Sequence, residues 1–137
     1  MEDYASAAAR HWDNMIYLTQ DNRWQEAAYL AGYVAECTFK ALLEHTAPAI
    51  LLRPLGHNLT ALSGEALEMA LVLNPAHERH HASLTPGIGG WDPQHRYERT
   101  GFMPEAEFRH IVREAETIGA AVLAGLVLDG ILQEVPL

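Results

Sequence analysis

The chain has little that could cross-link it, anchor it or charge it positively. One cysteine, Cys37, stands among 137 residues. It cannot close an internal disulfide, and its apolar neighbours mark it as a small core residue. The opening Met1-Glu2-Asp3 has no basic segment ahead of an apolar run. With so little cysteine, that points to a reducing, cytoplasmic setting. Long hydrophobic runs are missing as well. The longest, residues 118–128, stops at Asp129 and is too short to cross a bilayer, so no membrane partner is expected. Basic residues are scarce: nine Lys and Arg face eighteen Asp and Glu, for a formal charge of −9. Gripping nucleic acid with the whole surface needs clustered positive charge and is excluded, although a local basic patch is not. No alternating apolar run bounded by hairpin turns is present, which removes a β fold.

What remains reads as helix. Apolar residues make up 49% and charged residues 20%, which suits one packed domain over 1–137 rather than a disordered chain. Residues 3–20 place Tyr4, Ala8, His11/Trp12, Met15/Ile16 and Leu18 at helical spacing. Asp21-Asn22 marks a turn and is expected to cap a second helix over 22–45. That helix stops before Pro48, because proline disfavours helix in the residue ahead of it. Residues 48–56 connect it to a third helix over about 57–73, closed by Asn74-Pro75. Residues 75–103 form a long connection with room for a short helix at 76–84. It holds four of the eight histidines, together with Trp91, Arg96, Tyr97 and Arg99. The last helix opens at Pro104, carries Glu105 and Glu107 near its positive end, and runs to about Leu132. The expected fold is all-α, a four- to five-helix up-and-down bundle.

The second helix is the most informative element. Ala27, Ala31, Val34, Ala35, Thr38 and Leu42 cover one side, and Leu30, Cys37 and Ala41 widen it, so the helix should be nearly buried. Against this background Tyr29, Tyr33, Glu36 and Lys40 form one narrow stripe. Lys40 is the only lysine of the chain, and Glu36 precedes it by four residues, the favourable order for a helical ion pair. Such a pair adds only ~0.3–0.5 kcal/mol on a surface. On a buried helix, neither charge is left unpaired cheaply. Gly32 costs the helix ~1 kcal/mol relative to alanine and reads as a site of close helix crossing. The stripe fits an internal polar clamp and a ligand lining equally well.

The segment Ala31-Gly-Tyr-Val-Ala-Glu-Cys-Thr-Phe-Lys-Ala-Leu-Leu43 is similar to the central helix of the HEPN family, with glycine, glutamate and lysine at that family's spacing. Leu55-Gly-His-Asn-Leu-Thr-Ala-Leu62 resembles its following Gly-His turn and helix. Trp91-Asp-Pro-Gln-His-Arg-Tyr97 resembles an element ahead of the last helix in some members. The resemblance implies a four- to five-helix, commonly dimeric bundle. It also implies a role in prokaryotic defence, toxin–antitoxin or stress systems, often beside a nucleotidyltransferase partner protein. Many members are RNases in which four to six residues stand between an arginine and the histidine that follows it. There arginine stabilises phosphate charge and histidine moves the 2′-hydroxyl proton.

That spacing is missing here. Arg53 and His57 are too close, as are Arg79 and His80-His81, and Arg96 and Arg99 meet no histidine before His110. His95, Arg96 and Arg99 fall where the family's catalytic residues would lie and are the candidates for an atypical site. Glu36, Lys40 and His57 match family positions. With Tyr29, Tyr33, Arg96 and Tyr97 they make up a candidate polar cluster, either ligand-binding or structural. Arginine would serve phosphate there, and tyrosine would offer a stacking face.

His77-Glu78-Arg79-His80-His81 matches His-Glu-x-x-His, which on a helix sets two imidazoles one turn apart for zinc. The surroundings are poor: Leu84 stands where the extended pattern needs glycine, and no strand flanks the segment. His77 and His81 are therefore weak metal candidates, and no metal or cofactor is expected. The last helix is apolar all round after Thr117, with Gly119, Ala120, Ala121, Ala124 and Gly125 allowing close approach of another helix. An apolar face of this kind leads to an expected homodimer. The sequence thus leans away from an enzyme. The expectation is a non-catalytic or atypical HEPN protein that binds a nucleotide, an RNA or a partner protein. The alternatives are a metal-independent RNase and a zinc-binding protein.

Overall fold

The computed structural model describes residues 3–46 and 91–128 of the chain. Among these residues all regular structure is helical: α1 (Tyr4–Gln20), α2 (Trp24–Thr46), a 3-10 turn (Pro93–Tyr97) and α3 (Glu105–Leu128). The expected third helix, the 48–56 connection, the short helix at 76–84 and the stretch to Leu132 lie outside the described residues.

Asp3 caps α1 through its side chain, with Oδ1 accepting from the Ser6 amide at 2.9 Å. The helix ends where Asn22 adopts a left-handed φ of 57°. The Arg23 amide then donates to the Leu18 carbonyl at 2.9 Å, and the Asn22 amide donates to Thr19 at 3.1 Å. This is a Schellman closure, and asparagine tolerates its left-handed position better than most residues. The expectation for Asp21-Asn22 is corrected by it. The pair terminates α1 instead of capping α2, and α2 begins two residues later than expected, at Trp24. The Arg23 carbonyl accepts the first α2 bond, from Ala27 at 3.0 Å.

The predicted apolar side of α2 is buried as read: Ala27, Ala31, Val34, Ala35, Thr38 and Leu42, with Cys37 and Ala41 beside them. Phe39 and Leu43 are also fully buried, so the helix is covered on all but the stripe that runs through Glu26, Tyr29, Tyr33, Lys40 and Glu44. It lies between α1 and α3, which touch each other less than either touches α2. At α3 the Pro104 carbonyl accepts from Glu107 at 3.0 Å, which places proline just outside the first turn. Phe108, Ile111, Val112, Ala115, Ile118 and Val122 face the core. Burying each large apolar side chain stabilises the fold by roughly 1.5–3 kcal/mol. Gly119 sits under the Trp12 ring of α1: a Cβ there would lie 2.7 Å from Trp12 Cζ3. The close approach read at this glycine is therefore filled from within the chain. No helix among the described residues is long and apolar enough to cross a membrane.

Candidate functional site

The site grows from the stripe on α2. Tyr29 and Tyr33, one turn apart, bring their hydroxyls to 3.2 Å and set their rings edge to face, 5.3 Å between centroids. Either hydroxyl can donate. The pair would be an ordinary half-buried contact but for Trp91, which reaches it from the far part of the chain. The Trp91 indole lies against α2 at Gly32, where any Cβ would overlap the ring. Its Nε1–H donates to the Tyr29 carbonyl at 3.0 Å, and its ring meets Tyr33 edge-on at 5.3 Å. Gly32 thus serves a close approach, as expected, but of an indole rather than of a second helix.

Trp91 fixes the start of the segment that carries Arg96 and Tyr97. Asp92 caps the 3-10 turn, its Oδ1 accepting from the Gln94 amide at 2.7 Å, and Pro93 fills the first position. The far end is held from α2 by Gln25. Its Nε2 donates to the Arg99 carbonyl at 3.2 Å, and its Oε1 accepts from the Gly101 amide at 2.8 Å. Gly101 has φ 73°, a conformation that suits glycine. Phe102 then packs between His95 and Phe108, at 4.9 and 5.5 Å. The described part of the expected long connection is therefore an ordered clip on α2. Nothing local in the sequence ties Gln25 to a turn more than seventy residues away.

A 3-10 turn has three residues per turn, so neighbouring side chains diverge by about 120°. His95 accordingly packs on Phe102. Arg96 instead lies outside, its guanidinium 4.8 Å from the centre of the exposed Tyr97 ring. The Tyr29 hydroxyl, then that of Tyr97, holds Arg96 above the ordinary arginine pKa. Burial, followed by the Tyr29 hydrogen bond, pushes Tyr33 up to about 12. The Tyr33 phenol thus stays protonated across the ordinary pH range as a neutral donor and acceptor. The Arg99 side chain is exposed, and only its carbonyl is engaged.

Glu36 and Lys40 occupy the other end of the stripe. Glu36 Oε2 lies 3.8 Å from Lys40 Nζ, and the Glu36 side chain is only 7% exposed. Lys40 also stands 5.6 Å from the Tyr4 ring centre. Tyr29 and Lys40 are eleven residues apart, about 16 Å along a helix. The expected cluster is therefore drawn out along the stripe, with Arg96 and Tyr97 at the Tyr29 end and the ion pair at the other. His11 of α1 stands between the two ends, tilted against Tyr33 at 5.6 Å. Burial and then Arg10 lower its pKa, and Glu36 pulls it back up. Its helical spacing had marked His11 only as a core-facing position. Cys37, buried and next to Glu36, has its thiol pushed up to about 11, in keeping with an inert core cysteine.

His57, His77 and His81 lie outside the described residues. Among the described residues no group of three His, Cys, Asp or Glu side chains is placed to hold a metal ion. Compared with known protein families, with curated proteins and with solved structures, the chain finds no match in any of the three.

Proposed function

We propose that this is a HEPN-like, four- to five-helix protein that binds through the face built by Tyr29, Tyr33, Trp91, Arg96 and Tyr97, and does not cleave RNA. The observation that carries this reading is the exposed Arg96 guanidinium set over the exposed Tyr97 ring, while His95 packs on Phe102. General acid–base cleavage needs histidine and arginine to converge on one phosphodiester. Here the imidazole is packed on Phe102 while the guanidinium lies outward over Tyr97. An exposed guanidinium on an exposed ring is instead equipment for recognition, since it offers forked donors and a stacking surface. The ligand class is a nucleotide, an RNA or a partner protein, with a prokaryotic defence, toxin–antitoxin or stress system as the setting. A nucleotidyltransferase is the partner protein that the family resemblance brings with it. The chain acts as a homodimer in the cytoplasm.

The test is an RNA cleavage assay on the purified protein in EDTA, beside Arg96→Ala. The expected result is no cleavage by either protein. Cleavage by the unmodified chain that disappears in Arg96→Ala would replace this reading with that of a metal-independent RNase using His95, Arg96 or Arg99.

A further inference from the structure

Beneath the clip lies a second feature of this face, a recess of about 80 Å³ between α2, the 3-10 turn and the start of α3. Two carboxylates border it, Glu26 from the first turn of α2 and Glu98 from the end of the 3-10 turn, and the rings of Tyr29, Trp91 and Phe102 form its walls. His95 and Arg96 line it as well. We propose that the recess is a binding site for a guanidinium head group, and that its natural occupant is a small guanidinium compound or an arginine side chain of a basic partner segment.

Size is the first argument. An apolar cavity of about 150 Å³ takes a benzene ring, so a recess about half that size is too small for a nucleobase. A planar guanidinium is smaller than either. Charge is the second. Neither Glu26 nor Glu98 has an ion-pair partner among the described residues, although Arg96 is close by. The Arg96 guanidinium is held over Tyr97 and by the Tyr29 hydroxyl, which leaves both carboxylates available to another cation. The walls supply the third argument. Cations are attracted to aromatic faces within about 6 Å, and arginine more often than lysine. This chain already uses the arrangement, with Arg109 lying 4.5 Å from the Trp24 ring centre. The formal charge of −9 favours the approach of basic partners over that of a phosphate backbone.

The inference rests on reading this face as a binding surface and supplies the partner's chemistry. The two fail separately, because cleavage is read on RNA and occupancy is read on the protein. Two reporters are available: the Trp91 indole N–H, which borders the recess and is bonded to Tyr29, and the Gly101 amide, which is bonded to the lining residue Gln25. Nitrogen–proton NMR spectra are recorded while pentylguanidine, pentylurea, agmatine and acetyl-Gly-Arg-Gly-amide are added. The expected result is saturable movement of both signals with the three guanidinium probes and none with the isosteric neutral urea. Glu26→Gln combined with Glu98→Gln should weaken binding at least about tenfold. Both carboxylates are exposed, so the double variant should keep its far-ultraviolet circular dichroism. Tighter binding of agmatine than of the peptide assigns a small-molecule ligand, and the reverse order assigns a partner segment. No movement up to about 10 mM probe, equal response to pentylurea, or equal affinity in the double variant overturns the proposal.

Discussion

His11 is the residue at which packing and charge pull against each other most plainly. It is half-buried between α1 and α2, beside Arg10 and within reach of Glu36. Burial and Arg10 dominate, so the folded chain binds a proton at this imidazole less readily than the unfolded chain, whose histidine has the ordinary value of 6.5. The unfolded state then carries more protons in the window below that value. Stability from this site is therefore complete above about pH 6.5 and is lost progressively as pH falls beneath it. Urea unfolding midpoints between about pH 7.5 and pH 5 should decline for the unmodified chain and decline less for His11→Gln. Identical slopes in the two proteins would place the acid sensitivity elsewhere. Glu36 itself shows what a residue-scale reading of sequence can reach. Its burial and its pairing with Lys40 follow from helical spacing on one element, whereas the imidazole above it comes from another helix and has no local signature.

At the scale of elements, α1, α2 and α3 were legible because each carries an apolar face at helical period. The core face of α2 is buried as that period required except at Leu30, which is half-buried, and α3 buries Phe108, Ile111, Val112, Ala115, Ile118 and Val122 at the same period. The turn between α1 and α2 was read with the wrong polarity. Asp and Asn serve both as N-caps and at left-handed helix ends, and only the backbone angle of Asn22 separates the two roles. The clip was the least legible part. Gly32 signalled a close approach, but composition cannot say whether a helix or an indole makes it. This contact gives a direct test. On an open helix Gly32→Ala should stabilise by about 0.5–1 kcal/mol. Here the added Cβ overlaps the Trp91 ring, and overpacking of that kind costs about 1–3 kcal/mol, with the indole hydrogen bond adding about 1 more. Gly32→Ala should therefore destabilise the chain by roughly 1–3 kcal/mol in urea unfolding. In a Trp91→Ala background the same substitution should turn neutral or stabilising. That sign reversal is the signature of direct coupling between the two sites. A Gly32→Ala penalty that persists without Trp91 would mean that the glycine serves some other neighbour.

The arrangement of the three long helices also bears on the whole molecule. Among the described residues α2 lies between α1 and α3, and each of these two helices must shield an apolar face from water. For α1 the demand is modest, since only Ala8 and Met15 are fully buried there. For α3 it is larger, because residues 118–128 of its sequence are apolar all round. The Trp12 ring over Gly119 lowers the demand by occupying one of the small residues that would otherwise admit a neighbouring helix. Ala120 remains exposed one residue later. A second copy packed about a two-fold axis would cover this helix with the same surface on both protomers, the commonest way for a chain of this size to close. Light scattering behind size exclusion should then report twice the chain mass of 15.2 kDa at high concentration. The value should fall towards a single chain only on dilution below the dissociation constant. Replacing Ala120 with arginine would set like charges against each other across such an axis and should shift that fall to concentrations at least about tenfold higher. A mass of one chain throughout the dilution series, in both proteins, would mean that the chain covers α3 by itself.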